Sequence, residues 1–209
     1  MTTLERTNNH AASLISSGRC LEAYVELHRA MGDFARQITL DESFGPLNQD
    51  NNGLFVAPLS PLCPASESCA FLSPLLFTGS DVEDHSTENL SCAFATALFN
   101  MALAIQSFST RDGLPLAERR GDLLKCQNLY QHAFDVIETQ DLPLLRLALC
   151  NNLLDLAFEQ ADLGQVAYWA SRFNESMEVD VFNVPSHVLV HFLKVQLYFI
   201  PSLCSARAA

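Results

Sequence analysis

Basic side chains are scarce in this chain. It has 12 Lys and Arg against 24 Asp and Glu, which gives a formal charge of -12 over 209 residues. Clustered Lys and Arg are what neutralise nucleic-acid phosphates and hold proteins to anionic lipid surfaces. We therefore expect neither nucleic acid nor membrane as a partner. Basic and neutral partners stay open, because net charge informs association rather than fold.

Motifs that carry chemistry are missing as well. The eight glycines form no phosphate-binding loop and no Gly-x-Ser-x-Gly, and the seven cysteines include no Cys-x-x-Cys. His187 and His191 have the spacing of two metal ligands on a helix, but no glutamate base and no third ligand accompany them. We expect no catalytic residue, no metal and no cofactor. The alternative is an enzyme of unknown class with a pocket between the helices and a proline-rich insertion.

Targeting signals are not expected either. The first residues, MTTLERTNNH, have no basic start and no apolar stretch. The apolar run at 187–203 is interrupted by His187, His191, Lys194 and Gln196, which favours a terminal packing helix over a membrane span. An odd number of cysteines without paired spacing indicates free thiols in a reducing compartment. The expected location is the cytoplasm or the nucleus.

Helical periodicity is what the chain contains in abundance. Apolar residues recur every three or four positions over most of its length, which predicts an all-α fold of about seven helices. The predicted helices span about 4–17, 20–38, 87–109, 117–139, 143–161, 165–178 and 186–201.

Residues 39–86 have a different character. Prolines at 46, 58, 61, 64 and 74 exclude a long helix there. Two apolar stretches, LFVAPLSPL at 54–62 and CAFLSPLLF at 69–77, each contain a proline, which is typical of an edge strand or an isolated extended segment. Such an insertion either packs its apolar stretches onto the helices or is partly disordered, and we favour a partly ordered one. The predicted division is 1–38, 39–86, 87–201 and a tail at 202–209.

A short pattern recurs in three places. It consists of an asparagine, then small and apolar residues, and then a second helix with small, large and small residues on one face. It is carried by Asn9, Ala11, Leu14, Gly18, Ala23, Leu27 and Ala30, by Asn100, Ile105, Cys126, Tyr130 and Ala133, and by Asn152 and Ala157. This resembles the tetratricopeptide repeat over about 110 residues, although the motif's tryptophan and closing proline are absent and the pitch is irregular. A generic helical bundle is the alternative.

The resemblance implies a tetratricopeptide-like array of antiparallel helices that serves as a protein–protein interaction or scaffold module. In that family the first helix of each pair lines a concave surface that often holds an extended peptide. The matching positions are Glu5, Asn8, Ala12, Ser16, Phe99, Leu103, Gln106, Asn151, Asp155, Phe158 and Glu159. Asn9, Asn100 and Asn152 recur at one position, where an amide either bonds a peptide backbone or bonds the neighbouring helix.

The expected partner is a neutral or basic segment of another protein. No Lys or Arg stands at the matching positions, and the carboxylates there would repel an acidic tail. The residues expected to bind it are Asn9, Phe99, Asn100, Gln106, Asn151, Asn152, Asp155 and Phe158, with Phe99 and Phe158 as possible anchors. A self-associating structural subunit is the remaining alternative.

Cys126, Tyr130 and His132 form a cluster that looks reactive. However, six residues separate Cys126 from His132, which places them about 120° apart around a helix. We predict that Cys126 and Tyr130 are packing residues and that His132 points to solvent.

Overall fold

The structure is a computed structural model, and it describes residues 2–40, 55–59, 70–78, 87–109, 116–138, 140–180 and 183–200. Within these residues it has seven α-helices and one two-stranded sheet, so the predicted all-α class is confirmed. The chain divides into two compact units: unit 1 is Met1–Leu59 with Pro74–Gln140, and unit 2 is Ser60–Ser73 with Asp141–Ala209. Most of the predicted insertion and the tail at 202–209 lie outside the described residues.

Unit 1 contains four helices and the sheet. The helices are α1 (Thr3–Ser16), α2 (Cys20–Leu40), α3 (Thr87–Ser109) and α4 (Leu116–Ile137). In the sheet, β1 (Phe55–Pro58) pairs with β2 (Leu75–Thr78) in antiparallel register. Helix α1 packs against α2 and α3, α3 packs against α4, and β2 lies on α1 and α3. The strand is therefore in direct contact with the helices that carry Asn9 and Asn100.

Helix α1 has defined signals at both ends. The Thr2 hydroxyl accepts a hydrogen bond from the Glu5 N–H at 3.2 Å, and the Glu5 carboxylate accepts one from the Thr2 N–H at 3.0 Å, which forms a capping box. At the other end Gly18 has a φ of 82°. Its N–H donates to the Ile15 carbonyl and the Arg19 N–H donates to the Leu14 carbonyl. This is a Schellman motif, in which glycine takes the left-handed conformation without steric cost.

Unit 2 contains the remaining helices. They are α5 (Pro143–Glu159), α6 (Leu163–Asp180) and α7 (Ser186–Lys194), followed by a π-helical turn at Val195–Phe199. Helix α5 packs against α6. The turn between them repeats the Schellman motif with Ala161 at the left-handed position, φ 54°. The Asp162 carboxylate then accepts from the N–H groups of Gly164 and Gln165, which caps α6.

Helix α3 is the most apolar helix of unit 1. Residues Asn89–Ser109 are long and apolar enough to cross a membrane by length and composition, and 72% of the most apolar window is buried inside the protein. Core helices of soluble proteins have the same length and composition. Phe99, Leu103 and Ala102 are completely buried, which is the burial that an interior helix of a packed unit requires.

The cluster around Cys126 holds α3 and α4 together. Cys126, Tyr130 and Ala133 are completely buried. The Cys126 thiol donates to the Ala102 carbonyl at 3.4 Å, and the Tyr130 hydroxyl donates to Gln106 Oε1 at 2.8 Å. His132 is exposed and lies edge-on to Phe94. The first two side chains are thus packing residues, and the histidine faces away from them.

Cys126 tests the packing of α3 against α4. Cys126→Leu should lower the free energy of unfolding by about 1–3 kcal/mol, because a fully buried site has no room for two more heavy atoms. Cys126→Ala should cost about 1 kcal/mol or less, since it loses only a weak thiol hydrogen bond and little volume. Urea denaturation followed by circular dichroism measures both. A larger loss for alanine than for leucine would contradict this packing.

The two Schellman turns allow a reciprocal test. Gly18→Ala should lower the free energy of unfolding by about 1 kcal/mol, because a side chain in the left-handed region clashes with the backbone. Ala161→Gly should raise the stability of unit 2 by up to about 1 kcal/mol, because it removes the clash of the alanine side chain. The gain is reduced by the larger backbone entropy that glycine loses on folding. Thermal melts of the two variants and of the parent provide the comparison, and shifts of the same sign would rule this account out.

Candidate functional site

Strand β2 has two hydrogen-bonding edges, and each has a different partner. One edge faces β1, with Ala57 opposite Leu76 and Phe55 opposite Thr78. Next to the strand, the Leu59 N–H donates to the Pro74 carbonyl at 2.9 Å. Consecutive residues of an extended chain send their N–H and C=O groups to opposite edges. Leu75 and Phe77 therefore direct their main-chain groups away from β1, toward α1 and α3.

Two asparagines bind these groups. Asn100 Oδ1 accepts from the Leu75 N–H at 3.0 Å, and Asn100 Nδ2 donates to the Leu75 carbonyl at 2.8 Å. Asn9 does the same with Phe77, at 2.8 Å for the N–H and 3.0 Å for the carbonyl. We call this arrangement an amide clamp: one asparagine side chain that bonds both the N–H and the C=O of a single residue. The two clamps of unit 1 hold residues two apart on one strand.

A third asparagine fixes the clamp on α3. Asn8 Nδ2 donates to the Leu75 carbonyl at 3.0 Å, and Asn8 Oδ1 accepts from Asn100 Nδ2 at 2.9 Å. Both hydrogens of the Asn100 amide are therefore used, which determines which way round its oxygen and nitrogen lie. Asn8, Asn100 and Leu75 are completely buried. Burying these polar groups is tolerated because each of them has a partner.

Unit 2 contains a clamp of its own. Asn152 Oδ1 accepts from the Phe71 N–H at 2.6 Å, and Asn152 Nδ2 donates to the Phe71 carbonyl at 3.1 Å. The Phe71 ring is completely buried, stacks on Phe192 at 5.3 Å between centroids and meets His191 edge-on at 5.7 Å. Here the main chain and the side chain of one residue are bound at the same time.

The asparagines predicted from the sequence as binding residues thus bind extended main chain, and that main chain belongs to the same protein. Asn9, Asn100 and Asn152 are the three clamps. Asn151 is completely buried beside Asn152, and its Nδ2 donates to Asn152 Oδ1 at 3.4 Å. The clamps bond main chain of the same protein, and Asn100 also donates to Asn8 on the neighbouring helix α1, so binding of a partner by these asparagines stays a prediction.

The other predicted binding residues lie elsewhere. Phe99 is completely buried, with its ring 5.5 Å from that of Tyr130. Gln106 is buried and accepts from the Tyr130 hydroxyl. Both are core contacts between α3 and α4, so Phe99 does not offer an open anchor. Asp155 is buried on α5, whereas Phe158 is 57% exposed near the end of that helix.

The residues that occupy the clamps were not identified from the sequence. The stretch 69–77 was predicted to be extended and apolar, but not to lie on the asparagines. In the structure Phe71, Leu75 and Phe77 are buried together with Ser73 and Pro74, whereas Leu72 and Thr78 are exposed. A proline is compatible with position 74 of this stretch. Its carbonyl accepts from the Leu59 N–H, and its missing N–H costs no hydrogen bond because the clamps hold residues 71, 75 and 77.

The Cys92 thiol on α3 is held in its unreactive, protonated form. Burial raises the pKa of the Cys92 thiol on α3 to about 12, so this thiol stays protonated and unreactive at neutral pH. Among the residues that the structure describes, no three His, Cys, Asp or Glu side chains lie together in a way that could hold a metal ion. What the site offers is hydrogen bonding by neutral amides.

Comparison with known proteins assigns no family. No protein-family model, no curated protein and no solved structure matches this chain. The geometry of the clamps is therefore the basis on which a function is inferred.

Asn100 tests whether the clamps stabilise the fold. Asn100→Ala should lower the free energy of unfolding by about 1–3 kcal/mol, because it leaves the buried Leu75 N–H without its acceptor. Asn128→Ala is the matched control, since Asn128 is exposed on α4 and should change stability by about 0.5 kcal/mol at most. Chemical denaturation measures both variants. Equal losses would show that the clamp contributes nothing beyond helix propensity.

Proposed function

We propose that this chain is a protein–protein interaction or scaffold module whose asparagines bind the main chain of an extended segment. The observation that supports this is the amide clamp, which occurs twice in unit 1 and once in unit 2. Each clamp engages the main-chain N–H and C=O of the residue that it holds. Main-chain bonds of this kind provide affinity in strand-addition complexes, while pockets for alternate side chains provide specificity.

The chemistry of the amide defines the kind of segment that fits. A carboxamide donates and accepts at a spacing that matches the N–H and C=O of one extended residue, whereas an ammonium group only donates and a carboxylate only accepts. Lysine or arginine would be needed to hold a terminal carboxylate strongly. Asparagines instead suit the interior of an extended segment, where N–H and C=O alternate along the chain.

Charge favours a neutral or basic partner. The chain carries a formal charge of -12. Asp155 stands three residues after Asn152 on α5, a spacing that places two side chains on one face of a helix. A carboxylate next to the unit 2 clamp disfavours an acidic ligand and favours a basic one.

The tetratricopeptide-like arrangement is part of the proposal. Helices α1 and α2, α3 and α4, and α5 and α6 pack together as successive pairs. The turns inside the first and third pairs have the same Schellman geometry, with Gly18 and Ala161 in the left-handed position. The clamp asparagines lie on the first helix of each pair, which is where the family's peptide surface would be.

A peptide series tests this function. The probe is a labelled peptide with the sequence of residues 70–78, AFLSPLLFT, flanked at each end by two lysines, two glutamines or two glutamates. We expect the lysine and glutamine forms to bind more tightly than the glutamate form, because the protein is acidic. Fluorescence anisotropy would be measured with the parent chain and with Phe77→Ala, which weakens the strand that occupies the clamps. The salt concentration would be physiological, because screening by salt weakens the charge effects that are compared.

The role of the clamps is tested with the same peptides. Asn100→Ala should weaken binding, and Asn128→Ala should not change it, provided that circular dichroism shows both variants to be folded. Tightest binding of the glutamate form, or no binding of any peptide to any of the folded chains, would contradict the proposed function.

A further inference from the structure

We propose that β2 is an internal competitor for the two clamps of unit 1, and that a partner protein binds there by replacing β2 with a neutral extended segment of its own. This inference rests on the proposed function and adds to it a ligand class and a means of regulation. It concerns Asn8, Asn9 and Asn100, the strand β2, and the side chains of Leu75 and Phe77.

The clamps do not distinguish this chain from another. The hydrogen bonds that Asn9 and Asn100 make to β2 go to main-chain groups, namely the N–H and C=O of Phe77 and of Leu75. Every non-proline residue has these two groups in the same geometry when it is extended. A foreign segment in the same position would make the same four hydrogen bonds, so the main chain alone gives β2 no advantage.

Side chains determine which foreign segment fits. Leu75 is completely buried and Phe77 is 3% exposed, whereas Leu76 is half-buried and Thr78 is exposed. A competing segment therefore needs two large apolar residues two positions apart, and it tolerates other residues between and after them. A charge at either buried position would be taken out of water without a partner, which is costly. The ligand class is a neutral extended segment with the pattern apolar-x-apolar.

The hold on β2 is limited. Within the described residues its only strand partner is β1, and a two-stranded hairpin by itself is marginally stable in water. When β2 leaves, the amides of Asn8, Asn9 and Asn100 become accessible to water, which can replace the lost hydrogen bonds. The main free-energy cost of opening is then the exposure of the Leu75 and Phe77 side chains to water. A partner with the same pattern offsets this cost by burying its own apolar side chains in their place.

The connection along the chain gives β2 its advantage. A ligand joined to its site has an effective concentration on the order of millimolar. A free peptide that makes identical contacts competes against that concentration and binds weakly. Weakening β2 without altering the asparagines should therefore expose the clamps and increase the affinity for the peptide.

The experiment compares peptide affinity among full-length variants. The probe is the labelled peptide AFLSPLLFT with glutamine flanks, and its control has serine in place of the residues that correspond to Leu75 and Phe77. Phe77→Ala and Leu75→Ala weaken β2 and leave the clamps intact. Phe134→Ala is the matched control, since it truncates a buried phenylalanine of α4, 4% exposed, outside the strand. Circular dichroism establishes that each variant is folded, and the two strand variants provide independent tests.

The expected result is that Phe77→Ala and Leu75→Ala bind the peptide at least about tenfold more tightly than the parent chain. Phe134→Ala should bind like the parent, and the serine peptide should bind none of them. Equal affinity of the parent and the strand variants would overturn the competitor role and leave the proposed function standing. A gain with Phe134→Ala as large as with Phe77→Ala would also overturn it. Absence of binding to every folded chain would remove the proposed function itself.

A second copy of the chain is the other possible occupant. Sedimentation velocity of the parent chain distinguishes a dimer from a monomer. A dimer that Phe77→Ala dissociates would mean that β2 lies in the clamps of its neighbour, and this would overturn the inference that the ligand is another protein. A monomer at the concentrations of the binding experiment is the expected result.

Discussion

A strand packed against helices needs hydrogen-bond partners for the N–H and C=O groups on its edge toward those helices, and in this protein asparagine side chains provide them. Helical backbone groups cannot, because they are already bonded within the helix. An unpaired buried N–H costs about 1–3 kcal/mol. Serine offers one hydroxyl and aspartate only accepts, whereas an asparagine amide both donates and accepts. The clamps on Leu75 and Phe77 are the condition under which β2 can lie on α1 and α3 at all.

This requirement explains what the sequence could and could not predict. The helices follow from apolar periodicity. The recurrence of Asn9, Asn100 and Asn152 at one place in the sequence pattern indicates that these amides bond either a peptide backbone or a neighbouring helix, and leaves the choice open. The identity of the main chain that they bond was not predictable. The clamped residues are separated from their asparagines by 68, 25 and 81 positions. No local pattern encodes such distances, and residues 71–77 show no alternation of apolar and polar side chains, because Leu72 and Leu76 are as apolar as Phe71, Leu75 and Phe77.

Two neighbouring positions on α3 that the sequence assigned to one binding surface face different elements in the structure. Successive helical residues are rotated by about 100° around the axis. Asn100 faces β2, and Phe99 is consequently turned toward Tyr130 on α4, with which it is in contact. The second repeat-like unit therefore has its amide on the strand side and its aromatic ring in the helix interface. A surface inferred from the repeat register places the amide and the ring on one face, because it treats all residues of one helical turn as binding positions.

In the proposed function, the clamps also separate two tasks that a binding site usually combines. Main-chain bonds provide affinity that does not depend on sequence, so discrimination among segments is left to the side chains at the positions of Leu75 and Phe77. Because β2 satisfies the same clamps, substitutions in β2 would change how strongly the site is blocked without changing the asparagines that bind. Substitutions at Asn8 or Asn100 would affect β2 and a partner alike, since both depend on the same amides. Affinity for a partner would thus be adjusted through β2, while the recognition chemistry on α1 and α3 stays fixed.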